Sequence, residues 1–286
     1  MPKMEVKTLS SPSNSTICIS ILVENTVQLP GLKAEHGWSV LIESNKGRIL
    51  FDTGQSSLLL ANAKPLGLDL SAVDKIVISH GHYDHTGGLA DILQLNSKAQ
   101  VYAHPDIFKC RFYLPPMGGE AREIGVPAAL LNSKRFNLSH DSVILFPGCL
   151  NTGEIPKSQP DLTVKHFFED RAGTRPDLIK DDQALILESR KGLIVILGCC
   201  HSGLKATFDR VKALTGQTSI YMVIGGMHLN GASAKLMKQT IQTLREYSVQ
   251  RIGLGHCTGA MGTFALQTEF PDRCFPCPTG LRMSID

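Results

Sequence analysis

Long apolar runs are missing from this chain. No stretch reaches the roughly 18 residues that a membrane helix needs, and the opening "MPKMEVKTLSSPSNSTICISILVEN" holds no apolar segment long enough for a signal peptide. A cytoplasmic location is therefore expected. An excess of charge of one sign is missing too: 29 Lys+Arg stand against 26 Asp+Glu, a formal net charge of +3. That balance argues against nucleic acid or a membrane as partner, and it suits a small anionic substrate. The chain also lacks a second CxxC to complete a zinc knuckle with "CFPC", Cys274 to Cys277. That pair reads as two partly buried thiols on a terminal hairpin, and the eight cysteines read as reduced thiols and not as a disulfide framework. Repeats and low-complexity runs do not appear.

What is present fits a globular chain with a substantial core: 286 residues, 42% hydrophobic and 19% charged. Apolar runs predict strands over 17–23, 38–42, 48–51, 75–78, 101–103, 143–146, 184–187, 193–197, 221–224 and 251–254. Helical periodicity falls at 56–63, 88–95, 204–214, 232–247 and 258–266. Alternating strands and helices in both halves predict an α/β fold with sheets covered by helices, and residues 1–286 read as one domain. Two irregular segments, 104–136 and 153–181, are long enough to serve as lids or binding loops. Short motifs follow the predicted strands: "FDTG", "SHGHYDH", "GCCHSG", "GGMHL" and "GHCTG". Polar residues at successive strand ends would gather at one sheet edge, where sites of layered α/β folds form.

The densest of these motifs is "HGHYDH", with His80, His82, Asp84 and His85 in six positions of a chain with ten histidines. On an extended stretch His80 and His82 point to the same side, and a turn at Tyr83 redirects Asp84 and His85. Four such ligands crowd a single tetrahedral ion but serve two ions about 3.5–4 Å apart. Gly87 and Gly88 let the next helix start close behind. One or two divalent metal ions are thus expected, zinc first, with iron or manganese as alternatives.

These motifs carry a family resemblance. "HGHYDH", preceded by "FDTG" and followed by strand-end histidines, resembles the metallo-β-lactamase-fold superfamily from about residue 17 to the C-terminus. The resemblance implies a four-layer αββα sandwich with a dinuclear site at one edge of the sheets. His80 and His82 would bind the first metal, Asp84 and His85 the second, and His256 would be the last ligand histidine. Asp52 of "FDTG" would hold a ligand histidine in place from behind. In "GCCHSG" no aspartate is present to bridge two metals. There His201 is either the middle ligand or stands in the bridging carboxylate's place, and Cys199 and Cys200 read as buried strand-end thiols, with thiolate ligands as the alternative. Asp84 and His228 are expected to act in the chemistry. His228 reads as a substrate-facing acid/base or spare ligand, with a hydrogen-bonded loop histidine as the alternative. His36, His104, His140 and His166 read as ordinary histidines.

The order "NTGEIPK", "DDQALIL", "GCCHSG", "IGGMHL", "GHCTG" is similar to the subgroup of 7,8-dihydropterin-6-yl-methyl-4-(β-D-ribofuranosyl)aminobenzene 5′-phosphate synthases. That resemblance implies a transferase that condenses a dihydropterin diphosphate with a (ribofuranosyl)aminobenzene phosphate, in methanopterin biosynthesis. A metallo-hydrolase of a phosphoester or lactone is the alternative. Diiron oxygen reductases of the superfamily typically have a glutamate where His82 stands, which argues against a redox iron protein, and a metal protein without catalysis is disfavoured. Arg111, Arg122, Arg171 and Arg175 in the two long segments are candidate phosphate clamps, although each taken singly reads as a solvated surface arginine. The apolar content suffices for a homodimer contact.

Overall fold

Valine, isoleucine and leucine dominate the runs at Ile17–Val23, Gly192–Ile196 and Ile220–Gly225, as expected of strands buried on both faces. The computed structural model describes residues 16–130, 133–157 and 165–286. The expected lid segments 104–136 and 153–181 therefore include residues 131–132 and 158–164, which lie outside the described residues.

Two seven-stranded sheets form the frame. The first runs, in spatial order, Arg282–Ile285, Ile17–Val23, Ser39–Ser44, Gly47–Phe51, Lys75–Val77, Gln100–Ala103 and Phe136–Leu138. The second runs Cys274–Pro276, Arg251–Leu254, Ile220–Gly225, Gly192–Ile196, Leu185–Ser189, Cys149–Asn151 and Ile144–Phe146. Each sheet is antiparallel in one half and parallel in the other. The "CFPC" cysteines do not sit on a hairpin: Cys274–Pro276 pairs in parallel with Arg251–Leu254, and Cys277 is buried.

The two-residue period of strand side chains creates the layers. In Gly192–Ile196, Ile194 and Ile196 face the other sheet and pack with Ile19, Ile21, Val40 and Phe51. Leu193 and Val195 face outward onto Phe208, Leu244 and Leu266, from helices Leu204–Thr215, Ala234–Glu246 and Gly259–Glu269. The first sheet turns Leu22, Leu41, Leu50 and Ile76 onto Leu59 and Ile92 of helices Leu58–Ala63 and Leu89–Leu95. The order helix, sheet, sheet, helix is the expected αββα sandwich. A third, small sheet joins Phe167–Phe168, Phe112–Tyr113 and Arg122–Glu123 across the two long segments. Among the described residues no helix is long and apolar enough to cross a membrane.

Close packing behind the histidine loop depends on glycine. A Cβ on Gly87 would lie 2.1 Å from the Gln55 carbonyl oxygen, a backbone atom that cannot step aside. Gly87→Ala should lower stability by about 1–3 kcal/mol, measured by urea denaturation. A change below about 0.5 kcal/mol would show that the loop relaxes freely.

Candidate metal centre

Strand Gly47–Phe51 ends directly on Asp52, whose backbone is left-handed (φ 58°). Its buried carboxylate organises the site. Oδ1 accepts from the Ser79 backbone N–H at 2.7 Å, and Oδ2 accepts from the Ser79 hydroxyl and from His85 Nδ1, each at 2.7 Å. With its proton given to Asp52, Ser79 Oγ accepts from His80 Nδ1 at 2.9 Å. Both histidines thereby have Nδ1 occupied and Nε2 turned inward. His256 follows the same rule from the other sheet, since its Nδ1 lies 3.0 Å from Asn25 Oδ1, an acceptor.

The inward nitrogens meet. His85 Nε2 and His256 Nε2 are 3.2 Å apart, and His80 Nε2 is 2.9 Å from His82 Nδ1. The donor atoms of His80, His82 and His201 lie within 4.8 Å of one another, as do those of His36, Asp84 and His256. Lone pairs facing one another at these distances repel unless a proton or cation lies between them. The buried His82 Nε2 has no hydrogen-bond partner among the described residues. These residues therefore fit a divalent cation.

The electrostatics agree. Burial, reinforced by neighbouring imidazoles, holds His80 and His201 well below the usual histidine range. His82 is held there by burial and by the Arg111 charge. All three present neutral, ligand-competent rings. Burial alone would depress His85, yet the Asp84 and Asp52 carboxylates outweigh it and raise it to about 9. Burial would likewise raise Asp84, but His85, His256 and His36 hold it well below the carboxylate range. The floor of the site thus favours positive charge next to Asp84, as a proton or as a metal ion.

The sequence-predicted histidines and aspartates of the metal site converge at this edge. His80, His82 and His201 form one group. Asp84 and His256 form another with His36, and His85 lies beside both, with Asp52 behind it. His228 stacks on His201 with ring centroids 4.4 Å apart. Four of these features carry left-handed backbone at non-glycine residues, namely Asp52, Cys200, His228 and His256, which places the strain of the sheet edge at the site.

Two expectations need correction, and a third residue gains a contact. His36 is not an ordinary surface histidine: its Nε2 lies 3.1 Å from Asp84 Oδ2. Nothing in its local sequence marks it, because its partner is brought in by the fold. Cys199 is buried at its strand end as expected, and its Sγ also lies 3.2 Å from His85 Nε2; its place two residues before His201 is the one sequence signal for that contact. Arg111 is not a phosphate clamp. It is fully buried and grips Asp181 at 2.6 Å and Asp177 at 3.4 Å, because a buried guanidinium requires paired carboxylates. Asp181 in turn accepts from the Gly81 N–H at 2.7 Å, so this ion pair braces the backbone between His80 and His82. Arg171 stacks over Phe112 and Arg175 pairs with Asp170.

Above the histidines opens a cavity of about 740 Å³, lined by Asp84, His201, His228 and His256 on one side and by Tyr113, Phe167, Arg122 and Lys165 on the other. Arg122 is the one of the four candidate clamps that lines it. Phe167 covers the centre, with ring centroids 5.1 Å from His82 and 5.4 Å from His201.

An αββα sandwich with histidines and aspartates at the shared sheet edge defines a class. The profile of the metallo-beta-lactamase superfamily matches residues 32–178, just over half the chain, and the chain belongs to that superfamily. It is an enzyme of the transferase or hydrolase type. Among its relatives is the 7,8-dihydropterin-6-methyl-4-(beta-D-ribofuranosyl)-aminobenzene-5'-phosphate synthase of Methanocaldococcus jannaschii, 33% identical over 253 residues, covering 84% of this chain and 86% of that protein. An uncharacterized protein of the same organism is 32% identical, over 84% of this chain and 90% of its own length. The crystal structure of Tm1679, a metal-dependent hydrolase of the beta-lactamase superfamily, superposes with a TM-score of 0.81 at 28% identity, covering 94% of this chain and 99% of that one.

Asp52→Asn should keep the fold but weaken metal binding by about 10–100-fold, read from competition with a chromophoric chelator; unchanged affinity would remove Asp52 from its orienting role. Arg111→Met leaves two buried carboxylates unpaired and should cost about 3–5 kcal/mol in chemical denaturation, whereas a loss under about 1 kcal/mol would show that the brace contributes little.

Proposed function

We propose that this enzyme joins a dihydropterin methyl diphosphate to a (ribofuranosyl)aminobenzene phosphate, releasing diphosphate, with zinc as the metal. The observation that carries this reading is the cavity's two-sided character: a histidine–aspartate floor faces a roof of aromatic rings and cations. A volume of about 740 Å³ is large for one small phosphoester and suits two planar reactants held together. The relation to the Methanocaldococcus synthase over most of both chains supports the same substrate class.

In this reading His80, His82 and His201 hold one cation, and His85, His256 and Asp84 hold the second. Imidazole nitrogen and carboxylate oxygen suit zinc, as they suit iron or manganese. When bound, the metal supplies charge neutralisation for the diphosphate oxygens. Tyr113 and Phe167 flank the flat rings, while Arg122 and Lys165 at the roof grip phosphate. The arylamine nitrogen forms its bond to the pterin methylene carbon as the carbon–oxygen bond to diphosphate breaks. The proton that the amine loses passes to solvent in the cavity, Asp84 on the cavity wall orients the amine by accepting its N–H, and His228 donates to the departing oxygen. All eight cysteines are thiols, and we infer a reducing cytoplasm as the compartment.

The test is diphosphate release from the dihydropterin diphosphate with and without the arylamine. Release that requires the arylamine is expected, and release at an equal rate without it would make the protein a hydrolase. Arg122→Gln should raise KM for the phosphorylated arylamine about 3–10-fold with kcat within about twofold, the size of one exposed charge contact. An unchanged KM would place the phosphate elsewhere.

A further inference from the structure

Two neighbouring cations in one site repel each other, and a shared anionic ligand between them offsets that repulsion. "GCCHSG" holds no carboxylate to fill that place. Cys199 follows strand Gly192–Ile196 after Leu197 and Gly198, and it is buried. Gly198 lets this strand end approach the Asp52 hub: a Cβ there would meet Ser79 Oγ at 2.2 Å and Asp52 Oδ2 at 3.2 Å. Cys199 Sγ lies within 4.8 Å of the donor atoms of His80 and His85, of His201 and His228, and of His256 and Cys257. Its reach thus takes in members of both histidine groups. Its distance of 3.2 Å from His85 Nε2 compares with about 3.5 Å for nitrogen and sulfur sharing one tetrahedral zinc. His82, whose buried Nε2 has no hydrogen-bond partner among the described residues, lines the same cavity.

Of the two other thiols nearby, Cys257 shares the cluster and lines the cavity, and Cys200 faces away. Cys200 Sγ pairs with Thr207 Oγ1 at 3.5 Å, toward helix Leu204–Thr215, and Cys257 Sγ donates to the Cys199 carbonyl oxygen at 3.5 Å.

We infer that Cys199, as a thiolate, is the protein ligand shared between the two cation positions. The inference rests on the metal centre proposed above. Ligation breaks the S–H bond and forms a sulfur–metal bond, and the proton leaves to solvent. A thiolate at this place selects zinc, cobalt or iron over magnesium, calcium and manganese. The site is thereby set apart from an all-nitrogen-and-oxygen centre.

The test uses the full-length protein, stripped by chelation and titrated with cobalt(II). About two equivalents should bind, with a sulfur-to-cobalt charge-transfer absorption in the near ultraviolet. Cys199→Ser should lose that absorption and weaken one equivalent at least tenfold, while Cys200→Ser and Cys257→Ser retain both. X-ray absorption of the zinc-loaded wild type, which needs no variant, should show sulfur at about 2.3 Å. Metal bound without sulfur in the wild type, or a charge-transfer band that survives in Cys199→Ser, would overturn the thiolate assignment and leave the metal centre standing. A wild type that binds no cobalt and no zinc would overturn both.

Discussion

One buried carboxylate decides which way the imidazoles of this protein face. Asp52 binds the Ser79 N–H, the Ser79 hydroxyl and His85 Nδ1 at once, each at 2.7 Å. Through Ser79 it also fixes His80. An imidazole has one proton when neutral, so occupying Nδ1 exposes the Nε2 lone pair. Without this hub the same rings could hydrogen-bond one another in several tautomers, and a converging set of donors would not be defined. The carboxylate reaches these partners because its own residue turns left-handed where strand Gly47–Phe51 ends.

The rest of the architecture brings further donors to that hub. The parallel halves of the two sheets end at one edge, so "HGHYDH" arrives from the first sheet while His201, His228 and His256 arrive from the second. The two sheets are locked by apolar side chains between them, including Ile21, Phe51, Ile196 and Ile224, a dry interface that does not slide. Backbone strain at Cys200, His228 and His256 is sustained by that packing. Arg111 and Asp181 serve the loop from below, and the small sheet carrying Tyr113, Arg122 and Phe167 closes it from above.

Much of this was legible in the sequence because its signals are local. The strand runs are continuous and apolar, the helices have their period, and four potential ligands within "HGHYDH" have no other simple meaning. What escaped depends on partners distant in sequence. His36 acquires its role from Asp84 across a turn of the fold. Arg111 reads as a surface cation until Asp177 and Asp181 close on it. Strands of two residues, such as Phe112–Tyr113 and Arg122–Glu123, are too short for any periodicity to register. The edge strand Arg282–Ile285 pairs with Ile17–Val23 from the opposite end of the chain, and its alternating polar residues resemble a tail.

The account stands on neutral imidazole nitrogens from two sheets sharing cations. Anomalous diffraction from crystals grown without chelator addresses this directly. The prediction is a peak enclosed by His80, His82 and His201 and a second beside His85 and His256, each about 2.0–2.1 Å from nitrogen. Crystals with no anomalous peak, in which these rings bond to one another or to water, would contradict it.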